Sequence, residues 1–158
     1  MIKVFIHGLE STSQGTKGVF FKKKYPDMIV EDFTGPFQQR FAKLTQILLA
    51  KTDILLVGSS YGGLMAAVYA FENENNVKNL ILLAPALNLP EFQPYLREKL
   101  HIPVIIYHGK HDEVVPPESV HDIARTVFTD VKYHLVDDDH SLHNSFELMN
   151  WDKLLELE

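Results

Sequence analysis

Leu55-Leu56-Val57-Gly58-Ser59-Ser60-Tyr61-Gly62-Gly63 decides how the rest of the chain is read. An apolar run ends at Gly58, Ser60 follows two residues later, and Gly62 stands two residues beyond that. From Gly62 onward, Leu64, Ala67, Val68 and Phe71 recur at helical spacing. Gly58 to Gly62 is therefore a G-x-S-x-G pattern placed between a strand and a helix, the setting that a nucleophile elbow requires. A bend this sharp brings flanking positions against neighbouring backbone, which calls for glycine on both sides of the serine. The serine hydroxyl is then held out at the strand tip.

The pattern continues outward from the elbow in both directions. Upstream, Ile2 to Ile6 predicts a strand ending at His7-Gly8, with a polar loop from Leu9 to Gly15. Thr16 to Lys24 predicts a helix with Val19, Phe20 and Phe21 inward, and Met28 to Phe33 predicts a second strand. Phe37, Phe41, Leu44 and Leu48 mark the next helix, and Asp53 to Val57 the third strand. That strand is almost wholly apolar, as befits a central strand covered on both faces. Downstream, strands are expected at Asn79 to Leu83, Pro103 to Tyr107 and Val131 to Val136, the last more polar and nearer an edge. A helix carries Val120, Ile123, Ala124 and Val127, and a closing helix carries Phe146, Leu148, Trp151 and Leu155. Alternating strands and helices imply a doubly wound, three-layer α/β/α sandwich on a mainly parallel six-stranded sheet. The expected strand order is 2-1-3-4-5-6, with the ligand crevice where the order reverses, between the ends of strands one and three.

The chain of 158 residues is expected to form one domain over 1–158. It is 46% hydrophobic and 23% charged, with a net charge of −6, which argues against nucleic acid or an anionic membrane as partner. Lys22-Lys23-Lys24 reads as the solvated face of a helix. Cysteine is absent, which removes disulfides and thiolate metal sites and fits a reducing compartment. Met1 to Ile6 is too short for a signal peptide, and no run approaches the roughly 20 apolar residues of a membrane span, so a cytoplasmic location is expected. No cofactor is expected. The oligomeric state is left open.

A serine that attacks a carbonyl needs a base, an orienting carboxylate and donors for the developing oxyanion. Elbows of this kind take acid and base in that chain order from later strand-end loops. His108-Gly109-Lys110-His111-Asp112-Glu113-Val114-Val115-Pro116 follows the fifth strand, and Asp137-Asp138-Asp139-His140-Ser141-Leu142 follows the sixth. Glu113 competes with Asp112 for the acid, and His143 with His140 for the base. The run Asp137 to Asp139 reads as a solvated loop rather than a metal site, because no second cluster supplies further oxygen ligands. His101, His108, His111, His121 and His134 read as surface or structural residues. His7 is a partial exception, placed to hold the turn that follows it, and Glu10 beside that turn either disfavours anionic substrates or faces water.

On these residues the chain resembles a small α/β-hydrolase, close to the minimal serine esterases of the YqiA-like kind, over nearly its whole length. The family's His-Gly turn matches His7-Gly8-Leu9, its G-x-S-x-G matches Gly58 to Gly62, and its acid loop matches Gly109, Asp112, Val115 and Pro116. Its base matches Asp139-His140. The chain departs from the pattern in starting at the family's third strand and in lacking a large cap. The resemblance implies Ser60 as nucleophile, His140 as base and then acid, and Asp112 as the carboxylate that fixes the imidazole tautomer. It implies the backbone N–H groups of Leu9 and Tyr61 as the oxyanion hole.

The segment 85–103 joins strands four and five, where larger relatives carry a lid. It holds Leu87, Phe92 and Tyr95, either as an apolar cover that binds substrate or as ordinary packing. So small a segment implies an open site and a small-molecule ester substrate with a short or exposed acyl group. The same triad would serve a thioester or an amide. A reading from another class is a hydrolase-fold protein that binds a ligand without turnover.

Overall fold

The computed structural model describes residues 1–156; the expectation of one domain over 1–158 therefore reaches two positions outside the described residues. The sheet has six parallel strands in the order β2-β1-β3-β4-β5-β6, as expected. These are β1 (Ile2–Ile6), β2 (Ile29–Val30), β3 (Ile54–Ser59), β4 (Val77–Leu83), β5 (Leu100–Gly109) and β6 (Phe128–Val136). The helices are α1 (Thr16–Lys24), α2 (Phe37–Ile47), α3 (Tyr61–Glu72), α4 (Pro117–Val127) and α5 (Trp151–Leu155).

Strand alternation divides the core into two. Val4, Ile6, Ile54, Leu56, Leu80 and Leu82 point to one face, where Leu44 of α2, Leu64 and Val68 of α3, and Val120 of α4 cover them. Phe5, Leu55, Val57, Ile81 and Leu83 point to the other, against Phe21 of α1 and Trp151 of α5. The central strand β3 is buried from Ile54 to Gly58, as its unbroken apolar run requires. Gly62, Gly63, Ala66 and Ala67 bring α3 close to the sheet, all of them buried.

Three expectations are corrected. The second strand is two residues long, because past Val30 the chain turns to hold the loop after β1: Phe33 N–H donates to His7 and Asp32 accepts from Ser13 N–H. Val19 faces outward, 43% exposed, leaving Phe21 as the buried anchor of α1. The closing helix is broken. Phe146–Leu148 forms a separate 3₁₀ turn with Leu148 exposed, and Asn150 caps α5 by accepting from Lys153 N–H. Trp151 ties the two pieces, its indole N–H donating to Phe146 O at 2.7 Å.

Candidate active site

The elbow is built by close approach. A Cβ on Gly58 would collide with the Gly62 carbonyl, and one on Gly62 would collide with the carbonyl of Ile6 on the neighbouring strand. Between them Ser60 takes φ 54°, ψ −113°, a conformation that costs a non-glycine residue about 1–3 kcal/mol. The surroundings hold it there. Ser60 N–H donates to Leu83 O at 2.8 Å, and its carbonyl accepts from Gly63, Leu64 and Ala86.

The Ser60, His140 and Asp112 side chains meet. His140 Nε2 lies 3.0 Å from Ser60 Oγ, and its Nδ1 lies 2.6 Å from Asp112 Oδ2. A carboxylate only accepts, so Nδ1 carries the proton and Nε2 offers its lone pair to the serine hydroxyl. The rivals do not join them: Glu113 is exposed, and His143 is exposed at the crevice wall.

Asp112 is wholly buried as a side chain, so its charge depends on donors. Val114 and Val115 N–H both donate to Oδ1 at 2.8 Å, and His108 Nε2–H donates to Oδ2 at 3.1 Å. His108 was expected to be a surface or structural residue; it is wholly buried and touches the candidate acid.

The carboxylate run divides its labour. Asp137 is exposed and pairs with His111 at 2.7 Å. Asp138 is buried and accepts from Asp139, Asn144 and Ser145 N–H, fixing the turn that carries His140. Burial pushes the Asp138 carboxyl up, but these hydrogen bonds win and hold it below the usual range. Asp139 accepts from Ser141 Oγ–H and His143 N–H. Among the described residues no group of three or more His, Asp or Glu is arranged to hold a metal ion.

Across the crevice, the turn after β1 is pinned by His7. Its Nδ1–H donates to Gly8 O at 2.7 Å and its Nε2 accepts Phe33 N–H at 2.9 Å, a tautomer available only to a neutral ring. Burial pushes the His7 pKa down, partly offset by the bond to Gly8. Arg40 of α2, also buried, reaches the same turn: Nε–H donates to Gly35 O and Nη2–H to Leu9 O, while the guanidinium lies 5.5 Å from the Tyr61 ring. One side chain thus touches both residues expected to supply oxyanion donors. Tyr61 opens α3, where amides have no intrahelical acceptor, and among the described residues the turn and loop hydrogen bonds engage neither Leu9 N–H nor Tyr61 N–H. Helical periodicity could have flagged Arg40, which falls on the inward face between Phe37 and Leu44.

These parts surround a half-open crevice of about 820 Å³, lined on one flank by Phe5, Leu142 and Phe146 and on the other by Ala86, Leu89, Val114 and Val115. Lys17 lines it too, donating from Nζ to Ser141 O at 2.6 Å and standing 5.3 Å over the Phe146 ring. Burial pushes the Lys17 pKa down, against the pull of Asp139 and Asp138. Leu87, Phe92 and Tyr95, read either as a substrate cover or as ordinary packing, are not among the residues lining the crevice. Leu87 and Phe92 are core residues, and Tyr95 packs on Phe71 and donates its hydroxyl to Glu72. The 3₁₀ turn Pro90–Tyr95 docks on α3, so from this segment Ala86, Asn88 and Leu89 face the crevice instead.

Comparison with known proteins bears on this arrangement. Three solved structures illustrate the fold. Alpha/beta hydrolase domain-containing protein 10 from mouse is 21% identical with a TM-score of 0.78, covering 98% of this chain and 89% of its own. Est1E from Butyrivibrio proteoclasticus with ferulic acid bound is 19% identical with a TM-score of 0.78, covering 98% and 88%. An alpha-beta serine hydrolase homologue from Coxiella burnetii is 20% identical with a TM-score of 0.71, covering 98% and 83%. At such identities the likeness speaks for the α/β-hydrolase fold alone. No curated protein matches the chain. The family model described as serine hydrolase (FSH1) matches residues 17–146, which takes in the elbow, the acid loop and His140. The chain belongs to the FSH1 serine hydrolase family and has the α/β-hydrolase fold.

Proposed function

We propose that this serine hydrolase cleaves carboxylic esters through an acyl-enzyme, with Ser60 as nucleophile, His140 as general base and acid, and Asp112 as the orienting carboxylate. The observation that carries the reading is the unbroken hydrogen-bonded line from Ser60 Oγ through His140 to the buried Asp112. Ser60 Oγ attacks the ester carbonyl carbon while its proton passes to His140 Nε2. The resulting imidazolium is stabilised by Asp112, and the oxyanion by the N–H groups of Leu9 and Tyr61. Collapse expels the alcohol, which takes the proton from His140 and leaves the acyl group on Ser60. Water then enters, gives a proton to His140, and attacks the acyl carbon. The second collapse releases the carboxylic acid and returns the proton to Ser60.

The substrate class is read from the crevice. Apolar residues flank Ser60 on both sides, and Leu9 and Val114 are exposed at its edge. A half-open site of this kind suits a small-molecule ester with a short or exposed acyl group, served by one domain without a large cap and without a cofactor. Turnover of p-nitrophenyl esters of increasing acyl length, beside a thioester and an amide of matched acyl group, tests this. The expected result is a preference for esters with an optimum at short chains. A steep optimum at long chains, or faster cleavage of the thioester or amide, would overturn the assignment.

A further inference from the structure

The His108 ring is a buried titratable group in contact with Asp112 that the reaction scheme leaves without a part. It stands at the end of β5, four residues before Asp112, and its side chain is wholly out of solvent. Nε2 lies 3.1 Å from Asp112 Oδ2 and 3.0 Å from Val115 O. Both neighbours only accept, so the proton must be on Nε2, shared between them. Nδ1 is then a bare lone pair, buried and, among the described residues, without a hydrogen-bond partner. Protonating Nδ1 would leave a charged donor in the core with nothing to receive it. The titratable and charged groups facing the ring are Asp112, His140 and Tyr133, whose ring centroid is 6.3 Å away; only Asp112 is an anion. Burial, working against the bonds to Val115 and Asp112, keeps the His108 pKa below its ordinary 6.5.

We infer that His108 is a positioning residue for the triad, a neutral N–H donor that fixes Asp112 Oδ2 without cancelling its charge. The inference rests on the proposed roles of Ser60, His140 and Asp112. Two backbone amides anchor Oδ1. Without His108, Oδ2 would be held only by His140, the ring it is meant to orient. A lysine or arginine could also supply the N–H, but its full positive charge would compete with the imidazolium for the carboxylate. A neutral imidazole gives direction and leaves the negative charge available to His140 when it accepts the serine proton. Val115 carbonyl, the second acceptor, ties that donor to the same loop whose amides hold Oδ1.

The test compares His108→Leu, which removes the donor, with His108→Gln, whose amide nitrogen can occupy the Nε2 position. With a p-nitrophenyl ester turned over by the wild type, His108→Leu should lower kcat about 10- to 100-fold with KM within about twofold, and His108→Gln should restore most of the loss. Equal kcat in wild type and His108→Leu, or a loss that appears in KM, overturns the inference while leaving the triad standing. A wild type without turnover overturns the triad reading itself. Should His108→Leu fail to fold, ¹⁵N NMR of the wild type decides. His108 should hold the Nε2–H neutral form from its ordinary pKa of 6.5 up to about pH 9. A ring that titrates in that range, or carries its proton on Nδ1, contradicts the proposal.

Discussion

The same dipeptide marks the ends of two strands, His7-Gly8 just after β1 and His108-Gly109 as the last residues of β5, and it is used in opposite ways at the two. Both rings are buried and both are pushed toward neutrality. His7 carries its proton on Nδ1 and bridges two stretches of backbone, the Gly8 carbonyl and the Phe33 amide. His108 carries its proton on Nε2 and serves a side chain, the carboxylate of Asp112. The tautomer follows from what surrounds each ring: an amide donor must meet a lone pair, and a carboxylate must meet an N–H. The residue type alone therefore says little. Its neighbours decide whether it shapes the oxyanion turn or the acid.

The largest effect should come from removing what His108 serves. Asp112→Asn replaces an acceptor of four N–H bonds with a group that also donates, and should reduce kcat about 10³- to 10⁴-fold with the fold intact, read by steady-state kinetics beside circular dichroism. On the other side, His7→Phe leaves the Phe33 amide buried without an acceptor. That should cost about 1–3 kcal/mol in denaturant unfolding, with a smaller loss of kcat through the loosened turn. If His7→Phe instead matched Asp112→Asn in kcat, the contrast between a backbone-shaping and a side-chain-shaping histidine would fail.

A pH series sharpens the same contrast. The pKa of each buried ring is held below the ordinary 6.5, so below that value the unfolded chain binds protons that the folded chain refuses. Stability should be complete above about pH 6.5 and fall as the pH drops beneath it, toward the lowered folded values. Replacing both His7 and His108 should flatten that decline; an unchanged slope would mean that neither ring is kept neutral by the fold. The smallest effect should be that of Arg40→Met, which removes the bond to Gly35 O, a long 3.5 Å contact to Leu9 O and the cation–π contact with Tyr61. A loss of about 1 kcal/mol in transition-state binding, or roughly fivefold in kcat, is expected, with KM little changed.

The parts of this site legible in the sequence are those fixed by backbone geometry. Gly58 and Gly62 announce the elbow because no other residue fits against Gly62 and Ile6 there, and the order of strands follows from their alternation with helices. Contacts that depend on where a side chain swings in three dimensions were hidden. Leu87, Phe92 and Tyr95, placed where larger relatives carry a lid, read equally as a substrate cover or as packing; in the fold Leu87 and Phe92 are core residues and Tyr95 is half-buried against Phe71. Asp137, Asp138 and Asp139 look alike in sequence, yet Asp138 is buried under three amides while Asp137 meets solvent. Lys17 carried no signal, and Arg40 only its inward place on α2, since each acts through a distant partner, at Ser141 and Leu9. His108 did carry a signal: four residues before an acid, at a strand end, is close enough to touch it.

The central claim is that Ser60 is an activated nucleophile, and covalent labelling reads this without knowledge of the substrate. A fluorophosphonate probe, followed by mass spectrometry of the digested protein, should place one phosphonyl adduct on Ser60 of the wild type and none on Ser60→Ala. Absence of an adduct on a folded wild type, or its appearance on a residue other than Ser60, would contradict it.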